Sequence, residues 1–277
     1  MVYKWKARLN VDGYCMVHKR NYDQTYTPVA SWNTIRLLLI LVLVHSWHTI
    51  QLDYVLAFTQ APVDRNLYMK ILKGFGVEGA KRSEYVFNIK KNTYRKKQAG
   101  RVWNKHLCAK LEKFGLKQSI IDECVFYKED MIYVLYTDFS ILVGPNEQRI
   151  QETIKKMQEV GLQLTIEGDL EDFLGINIDR TSRGVIHLMQ PHLIDSILQD
   201  LRLNKGESKC KDTQMKLSTI INNSKDSPEF NQSFNCRSVI GNMKYLEQGS
   251  RSELAYAIHQ CAQYSTDPCK EHSNAVR

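Results

Sequence analysis

The 277-residue chain reads as an α+β protein, with helices interleaved among a largely antiparallel sheet. Three observations predict this class. Apolar residues recur at helical spacing in several separated segments. Between residues 124 and 144, short β-branched and aromatic runs follow one another across tight turns, a meander that requires antiparallel pairing. Helical and extended segments do not alternate as repeating βαβ units, so a doubly wound parallel sheet is not expected.

Taken in order, residues 31–46 carry Trp32, Ile35, Leu38, Leu39 and Val42 at helical spacing, then run into a wholly apolar stretch, as a buried helix does. Residues 49–58 (TIQLDYVLAF) are β-branched and aromatic and predict a buried strand interrupted by one carboxylate, Asp53. Residues 99–114 place Trp103, Leu107, Leu111 and Phe114 on one helical face, with Gly115 as the stop. In the meander, Cys124–Lys128 and Met131–Tyr136 flank a Glu129-Asp130 turn, Ser140–Val143 forms a third strand, and Thr137-Asp138 occupies the tight turn before it. Ile150, Ile154, Met157 and Val160 mark a helix ending at Gly161, and Leu193–Leu203 another. Residues 204–235 lose all periodicity and gather Asn, Ser, Lys and Asp, the composition of a linker. Two short helices follow, on Val239, Ile240, Met243 and Leu246, and on Leu254, Ile258 and Cys261.

Composition narrows the class of protein. Hydrophobic residues at 43% and charged residues at 25% exclude wholesale disorder, and a chain of this length buries a core without disulfides or a structural metal. The net charge of +8 favours a polyanionic partner, nucleic acid or an anionic membrane surface. The seven cysteines include no C-x-x-C pair and read as free thiols of a reducing compartment. The N-terminus has no apolar signal segment, and the longest apolar run, Leu37–Val44, is far below the ~20 residues that span a bilayer. The expectation is an intracellular protein, cytoplasmic or nuclear, with no membrane partner.

Residues 74–79 satisfy G-x-G-x-x-G, but a strand-like segment follows instead of a helix, so no dinucleotide site is expected. His45 and His48 have no acidic or cysteine partner nearby and read as helix-end or surface residues. Residues 81–97 hold seven bases against one acid, with Tyr85, Phe87 and Tyr94 interleaved. That mixture suits a nucleic-acid track of phosphate contacts and stacking rings, and equally a solvated face above core aromatics. More telling are Asp53 and Asp138. A carboxylate inside an apolar strand is costly unless it is paired or binds a cation. Singly, each is a common turn or cap residue; side by side, the two would form an oxygen-ligand site suited to Mg²⁺.

Together these segments resemble the reverse transcriptase region of copia-type retrotransposon polyproteins. The blocks run in order: KARL (6–9), YTPV (26–29) and IRLL (35–38); QLDYVLAF (51–58); LYM (67–69) with Gly74-Phe75; TYRKKQAGRVW (93–103); LYTDFSILVG (135–144); DFLGINI (172–178); and RSVIG (237–241) through Tyr245-Leu246 and LAYA (254–257). The resemblance implies a fingers–palm–thumb polymerase fold. It assigns fingers, palm and the start of the thumb to 1–203, a linker to 204–235, and the start of a connection toward an absent RNase H domain to 236–277. It also implies an RNA template, a DNA primer, deoxynucleoside triphosphates and Mg²⁺. Asp53 and Asp138 would bridge the metals. Phe58 would pack under the sugar and exclude a 2′-hydroxyl, and Gln98 would touch the incoming nucleotide. Lys6 and Arg8 would contact its triphosphate, while Lys90, Lys91, Arg95, Lys96 and Lys97 would line the template–primer path. Phe173, Leu174 and Gly175 would hold the primer end.

The chain departs from that pattern at chemically important points. Where the family's hairpin carries a second aspartate stands Phe139, which cannot ligate Mg²⁺. In the 93–103 block the family's glycine is Arg95, the apolar residue after it is Lys96, and the proline is Gly100. The expected protein is therefore a reverse transcriptase fragment, opening inside the fingers, with RNA-directed DNA synthesis impaired at its metal site. The alternative is a catalytically dead remnant that binds nucleic acid.

Overall fold

The computed structural model describes residues 9–76, 79, 81–181, 184–203, 228, 230 and 233–277. Two compact units, Met1–Leu170 and Glu171–Arg277, divide the chain. The 204–235 stretch read as a linker lies outside the described residues except at 228, 230 and 233–235.

In the first unit, helix α1 (Trp32–His45) starts where the Ser31 hydroxyl accepts from Thr34 N at 3.1 Å, and ends at Ser46 in a left-handed conformation. Strand β1 (His48–Tyr54), the short helix α2 (Ala57–Gln60), and the paired strands β2 (Pro62–Lys70) and β3 (Val86–Lys91) follow. Helix α3 (Ala99–Lys113) leads into the meander β4 (Lys117–Gln118), β5 (Val125–Lys128), β6 (Met131–Tyr136) and β7 (Phe139–Gly144). Helix α4 (Glu147–Glu159) and strand β8 (Leu164–Gly168) complete the unit.

The main sheet runs β4-β5-β6-β7-β1-β8, every pair antiparallel. One face presents Ile50, Leu52 and Tyr54 of β1 with Tyr133, Leu135 and Leu142 of β6 and β7. These pack against Trp103, Leu107 and Leu111 of α3 and Ile150, Ile154 and Met157 of α4. Each fully buried side chain of this kind contributes roughly 1.5–3 kcal/mol, so the apolar faces of α3 and α4 anchor this face of the sheet. Residues Ser140–Gly144 of β7 are buried on both faces, which explains why that strand reads as a continuous apolar run rather than an alternating one.

The strand expected over 49–58 stops at Tyr54. Leu56 turns to φ +51 and α2 begins, because Val55 N bonds Gln163 O at 3.0 Å and the Gln60 amide donates to Val55 O and Gln163 O. These long-range bonds override the β propensity of the segment. Strand β2 carries little periodic signal in the sequence: its burial alternates around a mostly polar run, and its pairing with β3 has a register shift. Gly74 and Gly79 lie in the β2–β3 connection with positive φ, followed by a 3-10 turn and β3, not by an α-helix. His45 and His48 are both exposed, His45 stacked on Trp47 at 5.2 Å.

The second unit opens with β9 (Asp172–Phe173), β10 (Ile176–Arg180) and β11 (Ile186–Met189), an antiparallel sheet in the order β11-β10-β9. Helices α5 (Pro191–Asp200), α6 (Cys236–Gly249), α7 (Ala255–Ala262) and α8 (Lys270–Val276) gather Ile197, Leu201, Val239, Ile240, Leu246, Cys261 and Val276 into a separate core. Helix α6 is longer than the sequence spacing implied, with Asn235 capping it by accepting from Ser238 N at 3.0 Å. Among the described residues every cysteine is a free thiol, and no helix is long and apolar enough to cross a membrane.

Candidate active site

Strands β1 and β7 pair antiparallel and place the two isolated carboxylates one step apart along the ladder. Asp53 stands directly opposite Phe139, and one step further Tyr54 N bonds the Asp138 carbonyl at 3.0 Å. That bond makes 54–138 the hydrogen-bonded pair and 53–139 the wider-bonded pair, in which Cα atoms approach to about 4.5 Å and side chains are closest. Phe139 is therefore the β7 partner of Asp53, and Thr165 of β8 is its partner on the other side. Asp138 sits in the two-residue turn of the β6–β7 hairpin, where Thr137 alone takes a positive φ (+58), the pattern of a type II′ turn.

Three buried aromatics hold this hairpin from the core side. The Trp103 indole N–H donates to Thr137 O at 2.8 Å. Trp103 also meets Tyr54 edge to face, centroids 5.2 Å apart, and the Tyr54 and Tyr133 hydroxyls bond each other at 2.9 Å. Burial first, then the Tyr133 partner, pushes the Tyr54 phenol well above its ordinary pKa, and burial does the same for Tyr133, so both remain neutral. Sequence reasoning placed Trp103 only on a core helix face. The available signal was chemical: a buried indole has one donor and must find an acceptor.

A magnesium ion takes one or two carboxylates, phosphate oxygens and water, not a full protein cage. Asp53 and Asp138 are two carboxylates of the kind such an ion takes, one step apart on the paired strands. They do not supply a set for two, because the third carboxylate position is an aromatic, and among the described residues no three His, Cys, Asp or Glu side chains gather to hold a metal.

The 92–98 loop forms a second cluster. Gln98 precedes α3, is 1% exposed, and donates to Asn21 O at 3.0 Å and Asp64 Oδ1 at 3.2 Å, leaving its own Oε1 without a partner. Phe58 of α2 packs on the core with its ring 4.9 Å from Tyr94. Arg95 adopts φ +65, a left-handed conformation that glycine takes freely and arginine does not. Lys96 is 4% exposed with Nζ lacking a hydrogen-bond partner. Burial lowers its pKa while Asp64 pulls the other way. Lys96 therefore does not stand with Lys90, Lys91, Arg95 and Lys97, which are exposed, and the surface track loses one of its five expected cations. Beside it opens a cleft of about 560 Å³, lined by Asn10 to Tyr14 and Arg95 to Lys97, with Lys97 Nζ 5.9 Å over the Tyr14 ring.

In the second unit, Phe173, Leu174 and Gly175 make the β9–β10 turn. Phe173 is buried and pairs with Ile176; Leu174 (φ +55) and Gly175 (φ +72) are the two positive-φ residues of a type I′ hairpin. Lys6 and Arg8 lie outside the described residues.

The profile of the family described as reverse transcriptase (RNA-dependent DNA polymerase) matches residues 1–215. The chain belongs to this family, in its copia-type retrotransposon branch. Over 99% of its length it is 30% identical to the retrovirus-related Pol polyprotein from transposon RE2 of Arabidopsis thaliana. It is 28% identical to that from transposon RE1 of the same plant, over 99% of the chain. It is 27% identical, again over 99%, to that from transposon TNT 1-94 of Nicotiana tabacum. The chain spans about a fifth of the length of these relatives, 18% for RE2 and 21% for TNT 1-94.

Proposed function

We propose that the chain is the template–primer-binding polymerase segment of a retrotransposon Pol protein, built for RNA-directed DNA synthesis and impaired by Phe139. The observation that supports this reading is the β1–β7 register, which pairs Asp53 with Phe139 and the next residue, Tyr54, with Asp138, so that the two aspartates stand one step apart on paired strands. In this reading residues 1–203 are fingers, palm and the start of the thumb, and 236–277 begin a connection region. Its substrates are an RNA template, a DNA primer and deoxynucleoside triphosphates, met in the cytoplasm or nucleus.

Asp53 and Asp138 would hold Mg²⁺, which when bound lowers the pKa of a primer hydroxyl and neutralises triphosphate charge. The chain's own residues do the positioning. Trp103 and Tyr54 N fix the two carbonyls of the hairpin tip, so that Asp138 is presented in one place. Phe58 supplies an apolar wall beside Tyr94 on which a sugar would rest. Gln98 keeps Oε1 without a partner at the start of α3, where it would meet the incoming nucleotide. Lys6 and Arg8 would contact its triphosphate, and Lys90, Lys91, Arg95 and Lys97 the phosphates of the duplex. Phe173, Leu174 and Gly175 would hold the primer end.

The test is primer extension on an RNA template with Mg²⁺, comparing the chain with Phe139→Asp. A lost ligand worth roughly 3 kcal/mol predicts a gain on the order of 100-fold in the variant. Equal rates would clear Phe139 of the defect and point to Arg95 and Lys96. A second reading, binding without synthesis, is favoured by the exposed cations of 90–97. It predicts duplex binding that persists in Asp53→Ala and no extension by either protein.

A further inference from the structure

Tyr245 lies on α6, beyond residue 215, where the match to the polymerase family ends. Its hydroxyl donates to the carbonyl of Leu174 at 2.6 Å, across 71 residues of chain. The acceptor is unusual. Leu174 is the non-glycine residue of the type I′ turn, held at φ +55, a conformation that costs a branched side chain about 1–2 kcal/mol and persists only where the surroundings fix it.

The same helix also grips the base of that turn. A Cβ on Gly249 would lie 2.4 Å from Gln190 Oε1 and 2.7 Å from Ile176 Cδ1, and Ile176 is the cross-strand partner of Phe173. Gln190 is 1% exposed and accepts from the Ser250 hydroxyl at 2.9 Å. Helix α6 thus meets the β9–β10 hairpin twice: close backbone packing at its base and one hydroxyl at its tip. The first contact sets where the helix lies; the second acts on a single carbonyl of the turn.

We propose that Tyr245 is a positioning residue that holds the Phe173–Gly175 turn in the conformation that receives the primer terminus. This rests on the primer-end role given to that turn above. It extends the working part of the polymerase past the segment that defines its family.

The test uses the full chain and an RNA–DNA template–primer carrying a fluorescent adenine analogue, either at the primer 3′ end or several base pairs upstream. Tyr245→Phe removes only the hydroxyl; Tyr256→Phe, on the exposed face of α7, is the control. Duplex affinity, dominated by phosphate contacts, should stay within about twofold in both. The binding-induced signal of the terminal probe should fall by about half or more in Tyr245→Phe only, with the upstream probe unchanged and the melting temperature within about 2 °C. Equal terminal signals in wild type and Tyr245→Phe overturn the proposal, as does equal loss at both probes. So does failure of Tyr245→Phe to fold, since a hydroxyl needed by the whole unit is not a specific positioner. A wild-type chain that binds the duplex without a terminal response overturns the primer-end role of the turn itself.

Discussion

At the scale of single residues, Lys96 shows what a buried charge costs. Its ammonium is out of water, without a hydrogen-bond partner, and only Asp64 opposes the desolvation. Replacing it by the apolar residue the family pattern carries there should stabilise the protein by about 1 kcal/mol or more, read from urea unfolding of Lys96→Leu at neutral pH. The pH dependence has a definite sign. A base whose folded pKa is lowered binds fewer protons in the folded than in the unfolded state once pH exceeds the lowered value. Wild-type stability should therefore gain on Lys96→Leu as pH rises from that value toward about 10.4, the ordinary lysine pKa. A stability difference independent of pH would show that the ammonium is not desolvated. The neighbouring Arg95 adds backbone strain to the same loop, so two substitutions that look like extra nucleic-acid contacts are also structural burdens.

At the scale of elements, the β6–β7 hairpin was legible in advance and its support was not. Strand–turn–strand alternation placed Thr137-Asp138 at the tip, and β7 began one residue earlier than anticipated, at Phe139. What anchors the tip is a donor from α3, a helix 34 residues away, which local periodicity cannot reveal. Trp103→Phe keeps an aromatic ring against Tyr54 and removes the N–H, leaving the half-buried Thr137 carbonyl without this donor. It should cost about 1–2 kcal/mol in urea unfolding and lower amide-exchange protection in the hairpin more than in α4. Uniform loss of protection across the unit would argue that the indole acts only as core.

At the scale of the whole molecule, the charge of +8 acquires a location. Lys90, Lys91, Arg95 and Lys97 are exposed on one stretch, while Lys96 is withdrawn from it. Salt dependence separates them. Each phosphate-neutralising cation adds roughly 0.9 to the slope of log K against log salt for a duplex. Lys97→Gln should reduce the slope by about 1, and Lys96→Gln should leave it unchanged; equal reductions would mean that Lys96 reaches the duplex after all.

By itself the sequence determined the α+β class, the main helices, the meander and the family, because these depend on local periodicity and on ordered blocks that survive divergence. It also exposed the missing carboxylate, since Phe139 is an identity and needs no coordinates. The tertiary structure alone decided that Asp53 faces Phe139 across a close strand pair, that Lys96 is buried while its neighbours are not, and that Trp103 and Tyr245 hold two turns from distant helices. The reason is physical. The pairing of strands distant in sequence, the burial of single side chains and long-range hydrogen bonds arise from packing between segments far apart in the chain, which local periodicity does not encode.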